Sequence, residues 1–135
     1  MREDETATLV RYRLEQARTA LRDAKCLLDH SGSPQSIVNR SYYAMFYAVL
    51  ALLQRTGTIP SKHTGSIGLF DKEFVLKGVL PRDLSRDLHR AFDARQASDY
   101  RFAQPLELAD ARELFGKASR FIEAIASHLG KTDGP

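Results

Sequence analysis

Apolar positions along the chain recur at steps of three and four residues. Leu9, Tyr12, Ala17, Leu21, Ala24, Leu27 and Leu28 predict a long amphipathic helix from Asp4 to about His30. The turn Ser31-Gly32-Ser33 ends it. Ser33 suits an N-cap with Pro34 at the first helical position, so a second helix starts there, and Gly57 just after Thr56 stops it. These two helices are expected to form an antiparallel hairpin. After the connector Thr58 to Lys62, residues Ile67, Phe70 and Phe74 mark a shorter third helix ending near Lys77-Gly78. Pro81 opens a fourth that buries Leu84, Leu88, Ala91 and Phe92, while Arg82, Asp83, Arg86, Asp87, Arg90 and Asp93 form a solvated face of alternating sign. Ser98 to Pro105 lacks periodicity and is expected to interrupt the pattern. Leu108, Leu114, Phe115, Ala118, Phe121, Ile122, Ile125 and Leu129 trace a last long helix stopped at Gly130, leaving 131–135 as a frayed tail. Without a strand pattern or internal repeats, the prediction is one domain over 1–130, an all-α up-and-down four-helix bundle with an additional short helix.

The second helix departs from ordinary amphipathic patterning. From Ser36 to Gln54 its one charged residue is Arg40. Val38, Tyr42, Met45, Phe46, Val49, Leu52 and Leu53 form an apolar stripe about 120° wide, the core face. The opposite face, where a surface helix carries Lys and Glu, holds Ser36, Arg40, Tyr43, Ala44, Tyr47, Ala51 and Gln54. Such a face suits a second packed element, a subunit interface, or a ligand stacked on rings and anchored by a guanidinium. In a central bundle helix, Tyr43 and Tyr47 would instead fill gaps.

Composition narrows the classes. The chain has 135 residues, 43% of them hydrophobic and 27% charged, enough for one core without disulfides or metal. Its longest uncharged apolar run, Ser41 to Leu53, is shorter than the ~20 residues needed to cross a bilayer. MREDETATLV lacks a signal-peptide pattern, so a cytoplasmic protein without membrane contact is expected. The net charge of +3, with acids interleaved, argues against a general nucleic-acid polycation, although Arg82, Arg86 and Arg90, or Arg95 and Arg101, would supply a local basic groove. Cys26 has no intramolecular partner, and its neighbours Ala24, Leu27 and Leu28 suggest a buried, inert thiol.

The candidate chemistry is sparse. His30, His63, His89 and His128 are scattered, with no metal-ligand spacing, so no metal and no cofactor are expected. Gly65 and Gly68 lack the lysine and spacing of a Walker loop. His63 stands at the start of the third helix, where it either contacts a phosphate or closes the loop. Arg95 lies close in sequence to Asp99 and Tyr100, much as Arg40 precedes Tyr43 and Tyr47. Asp99 suits either an ion pair with one of these arginines or a structural bridge between helices.

Asn-Arg-Ser-Tyr-Tyr-Ala-Met-Phe-Tyr-Ala at 39–48, Ser-Lys-His-Thr-Gly at 61–65 and Arg-Gln-Ala-Ser-Asp-Tyr at 95–100 together resemble the HEPN (higher eukaryotes and prokaryotes nucleotide-binding) domain, over roughly Glu5 to Leu129. The resemblance implies a helical bundle, often a homodimer, commonly paired with a minimal nucleotidyltransferase in toxin–antitoxin systems. Many members are metal-independent ribonucleases, marked by an arginine followed after four to six residues by a histidine. Counting from Arg95, those positions hold Tyr100, Arg101 and Phe102; Arg82 precedes His89 at a similar interval, but upstream of the expected place. A tyrosine with a pKa near 10 is a poor general base at neutral pH. Some toxins also carry a tyrosine, two residues past that histidine, which the partner modifies with AMP; Phe102 stands there and has no hydroxyl.

The expected function is therefore a non-catalytic, dimeric module that binds a nucleotide or a nucleotidyltransferase partner. Arg40 would anchor phosphate or carboxylate, Tyr43 and Tyr47 would line the groove, and Arg95, Asp99 and Tyr100, with His63 as a further contact, would complete it. The alternative is an RNA endonuclease in which Arg95 stabilises the phosphorane and His63 or His89 replaces the missing histidine.

Overall fold

The computed structural model describes residues 3–100 and 106–133, with backbone alone at 98–100 and 131–133. Its helices are α1 (Glu3–Asp29), α2 (Pro34–Thr56), α3 (His63–Phe70), α4 (Arg82–Tyr100) and α5 (Leu108–Asp133), and a π-helical turn, Asp71–Val75, continues α3. The fold is the predicted all-α bundle, and no strand occurs among the described residues.

Local chemistry sets the ends of α2. The Ser33 hydroxyl accepts the Ser36 amide at 3.2 Å, and Pro34 follows at the first turn, where its missing N–H costs nothing. At the other end Gly57 takes φ 91°, a left-handed conformation that side chains disfavour, and its amide reaches back to the carbonyls of Leu53 and Gln54. Two of the predicted boundaries shift. α4 runs to Tyr100, through the start of the segment expected to break the pattern, and α5 continues past Gly130 to Asp133. One glycine is a weak helix stop when the flanking turns are otherwise satisfied.

Cross-links between helices give their directions. Arg13 in the first half of α1 donates to Gln54 near the end of α2, and residues 30–33 alone join the two helices, so that pair is antiparallel. Lys117 lies 3.6 Å from Asp87 while Arg90 approaches Glu113, which sets α4 and α5 antiparallel. Arg55 donates to the Leu129 carbonyl, placing the C-terminal ends of α2 and α5 side by side. α2 is the central element. Every residue of its predicted apolar stripe is buried, and it packs against α1, α3, α4 and α5. Phe70, Phe74 and Phe121 extend the core towards α5, with ring centroids 5.7 Å apart for Phe70 and Phe121.

Three side chains differ from the sequence expectation. Cys26 is exposed, with Sγ 3.8 Å from His30 Nδ1, because Ala24 rather than Cys26 points into the core from that turn of α1. Tyr12 and Leu108, placed by periodicity on buried stripes, are 55% and 43% exposed. Leu108 is the first residue of α5, where no preceding turn covers it, and Tyr12 lines an open groove with Arg40 and Tyr47.

Candidate functional site

The uncharged back face of α2 divides into two parts. Ala44 and Ala51 have no exposure, and buried Gln54 is held by Arg13 of α1, which also buries Ala17, Ala20 and Ala24. A second packed element therefore accounts for this part of the face. Arg40, Tyr43 and Tyr47 remain half-exposed, and Ser36 is exposed at the helix start.

Arg40 and Tyr47 form one side of a groove of about 300 Å³, whose other side includes Tyr12, Gln16 and Asp23 of α1. Tyr43 lies 5.8 Å from Tyr47, ring to ring, and carries the row of aromatics towards α3 and α4. The Arg40 guanidinium carbon sits 5.2 Å from the centre of the Tyr43 ring, and that of Arg95 sits 5.3 Å from the same ring and 5.6 Å from the Tyr42 ring. Each distance suits a cation–π contact. Arg40 donates twice to Asn39 Oδ1, at 3.1 and 2.9 Å, and Arg95 Nε is buried without a hydrogen-bond partner among the described residues. Among the described residues neither guanidinium pairs with a carboxylate.

His63 joins this cluster across a sequence gap of 21 residues, its Nδ1 lying 3.0 Å from the Tyr42 hydroxyl. Its ring stacks on Phe46, with centroids 3.9 Å apart, and meets Tyr43 edge-on. Burial pushes the His63 pKa below its usual 6.5, and the nearby Arg95 charge adds to the effect. Burial also raises the Tyr42 phenol above its ordinary range, although Arg95 opposes the shift, so the hydroxyl stays protonated at neutral pH. Lys62, the residue before α3, makes no side-chain cap, so first-turn amide donors beside His63 lack that partner.

Arg40, Tyr43, Tyr47, His63 and Arg95 thus lie along one aromatic row. The side chains of Asp99 and Tyr100 lie outside the described residues, as do Arg101 and Phe102, so the expected second wall is represented by Arg95 alone. His89 is engaged elsewhere: its Nε2 pairs with the Asp71 carboxylate, which also accepts the Ser85 hydroxyl at 2.7 Å. Among the described residues no three His, Cys, Asp or Glu side chains are grouped to hold a metal ion, and no helix is long and apolar enough to cross a membrane. Sequence reasoning missed Asn39, Tyr42 and Phe46 as parts of the site. Asn39 adjoins Arg40, a local signal, whereas Tyr42 and Phe46 read as core and their link to His63 is a tertiary contact.

Comparison with known proteins gives the chain its relatives. The chain is 37% identical over 122 residues to a UPF0332 protein of Thermotoga maritima, covering 90% of this chain and 92% of that protein. It is 34% identical over 92 residues to "Putative toxin MJ0142" of Methanocaldococcus jannaschii, covering 68% and 63% of the two chains. A second protein of that organism, "Putative toxin MJ0605", is 30% identical over 116 residues, covering 86% and 85%. The HEPN domain model matches residues 10–129, nearly the whole bundle, and the chain belongs to the HEPN domain family.

Proposed function

We propose that this protein is a binding module of a toxin–antitoxin-type system that holds a phosphate-bearing nucleotide against the aromatic row of Arg40, Tyr43, Tyr47 and Arg95. In this reading it acts as a homodimer beside a nucleotidyltransferase partner. The observation that carries the reading is the pair of guanidiniums on the Tyr43 ring, neither with a carboxylate partner among the described residues. Two like charges that share one ring, at most 10.5 Å apart, favour an anion near them. The aromatic row offers a surface for a base, and the toxin names of two relatives support the system-level assignment.

A second reading, RNA cleavage, has one specific observation in its favour. His63 and Arg95 share contacts with Tyr42 and Tyr43, so an imidazole does lie near the arginine of the incomplete motif. One experiment separates the two readings. Purified protein is incubated with labelled RNA without metal at neutral pH, and bound and cleaved fractions are scored for wild type, Arg95→Ala, Arg40→Ala and Tyr47→Ala. The binding reading expects retention without cleavage, weakened in the variants. Cleavage lost with Arg95→Ala would replace it with the nuclease reading, and equal retention by all four proteins would remove the groove from either.

A further inference from the structure

The Tyr42 hydroxyl raises a question of hydrogen-bond satisfaction. Tyr42 has no exposure, so water cannot take its proton, and His63 Nδ1 is its one hydrogen-bond partner among the described residues. A buried O–H without an acceptor costs about 1–3 kcal/mol, whereas a phenol oxygen that accepts nothing is tolerated more readily. The hydroxyl therefore donates to Nδ1. A neutral imidazole that accepts at Nδ1 must carry its hydrogen at Nε2. Nε2 has no hydrogen-bond partner among the described residues, and the stack on Phe46 fixes the ring plane.

We infer that Tyr42 locks His63 as an Nε2–H donor, giving the aromatic row a neutral N–H for a phosphate oxygen beside the Arg95 guanidinium. The ligand class is then a phosphate ester or pyrophosphate, and His63 serves as a donor to that anion, with no lone pair free for general-base work. This assignment rests on the binding reading above for its ligand. The tautomer itself stands on the free protein. Tyr42 is a positioning residue, since it acts through His63.

The test has two arms. Long-range proton–nitrogen NMR of uniformly ¹⁵N-labelled full-length protein at neutral pH, with His63→Gln identifying the signals, reads the tautomer without ligand. The expected pattern is a pyridine-type Nδ1 and a pyrrole-type Nε2; the reverse pattern overturns the assignment. In Tyr42→Phe, checked for folding by its amide spectrum, the two nitrogens should move towards averaged values, and an unchanged pattern would deny Tyr42 its role. The second arm titrates ADP. His63→Ala should weaken binding about two- to twelvefold, the range for one net hydrogen bond, and His63→Gln, which offers an amide N–H, should recover most of that loss. Equal losses in the two variants would overturn the donor role. If ADP failed to bind the wild type, the ligand half would fall together with the binding reading, and the spectrum would still decide the tautomer.

Discussion

Replacing Arg95 with glutamine should change ligand affinity far more than stability. In the wild type the two guanidinium carbons lie 5.2 and 5.3 Å from one ring centre, so their separation is at most the sum of those distances, 10.5 Å. Their mutual repulsion is then at least about 0.4 kcal/mol in a water-like surrounding and about 1.6 kcal/mol at an effective dielectric near 20. Arg95→Gln relieves that repulsion and removes a buried Nε that lacks a partner among the described residues. It also deletes contacts with the Tyr42 and Tyr43 rings, each worth about 0.5–1 kcal/mol. The opposing effects leave a net change within about 1.5 kcal/mol of zero, readable as a small shift of the urea midpoint. Loss of a charge-assisted hydrogen bond to phosphate, about 1.5–3 kcal/mol, corresponds to a roughly 10- to 150-fold weaker ADP affinity by calorimetry. Destabilisation beyond about 3 kcal/mol with unchanged affinity would refute the reasoning and make Arg95 a structural residue.

Other expectations concern the bundle and its titration. Ser33→Ala removes the cap of α2 and should cost about 1 kcal/mol in urea unfolding while leaving ADP affinity unchanged. Phe70→Ala opens a cavity beside Phe74 and Phe121 and should cost about 3–5 kcal/mol, seen as a large fall in urea midpoint. Because the folded His63 pKa lies below 6.5, the unfolded chain binds more protons as pH drops beneath that value. Stability contributed by neutral His63 is thus present above pH 6.5 and lost as pH falls towards its folded pKa; His63→Gln should show a shallower acid loss in urea midpoints, and an equally steep one would contradict the assignment.

The fold was legible because its signals are local and repeated. The apolar stripe of α2 and the flanking Ser33-Pro34 and Gly57 mark the central helix from residues alone, and all three features appear as expected. The back face was legible in composition but not in cause. A run without charge looks the same whether a ligand, a subunit or α1 covers it, and the Arg13–Gln54 bond assigns part of it to α1. Tyr42 shows the opposite difficulty. Its ring belongs to the core, as periodicity predicts, yet its hydroxyl reaches His63 through the α2–α3 packing that no sequence period encodes. Cys26 failed for a simpler reason: apolar neighbours in sequence are not neighbours on a helix face.

Calorimetric titration of ADP into the full-length protein at low and high salt, beside an Arg40→Gln/Arg95→Gln double variant, tests the anion site along the aromatic row most directly. Saturable binding that weakens with salt and disappears in the double variant is the predicted result. Absence of binding to the wild type, or equal affinity in the double variant, would contradict the aromatic row as an anion site.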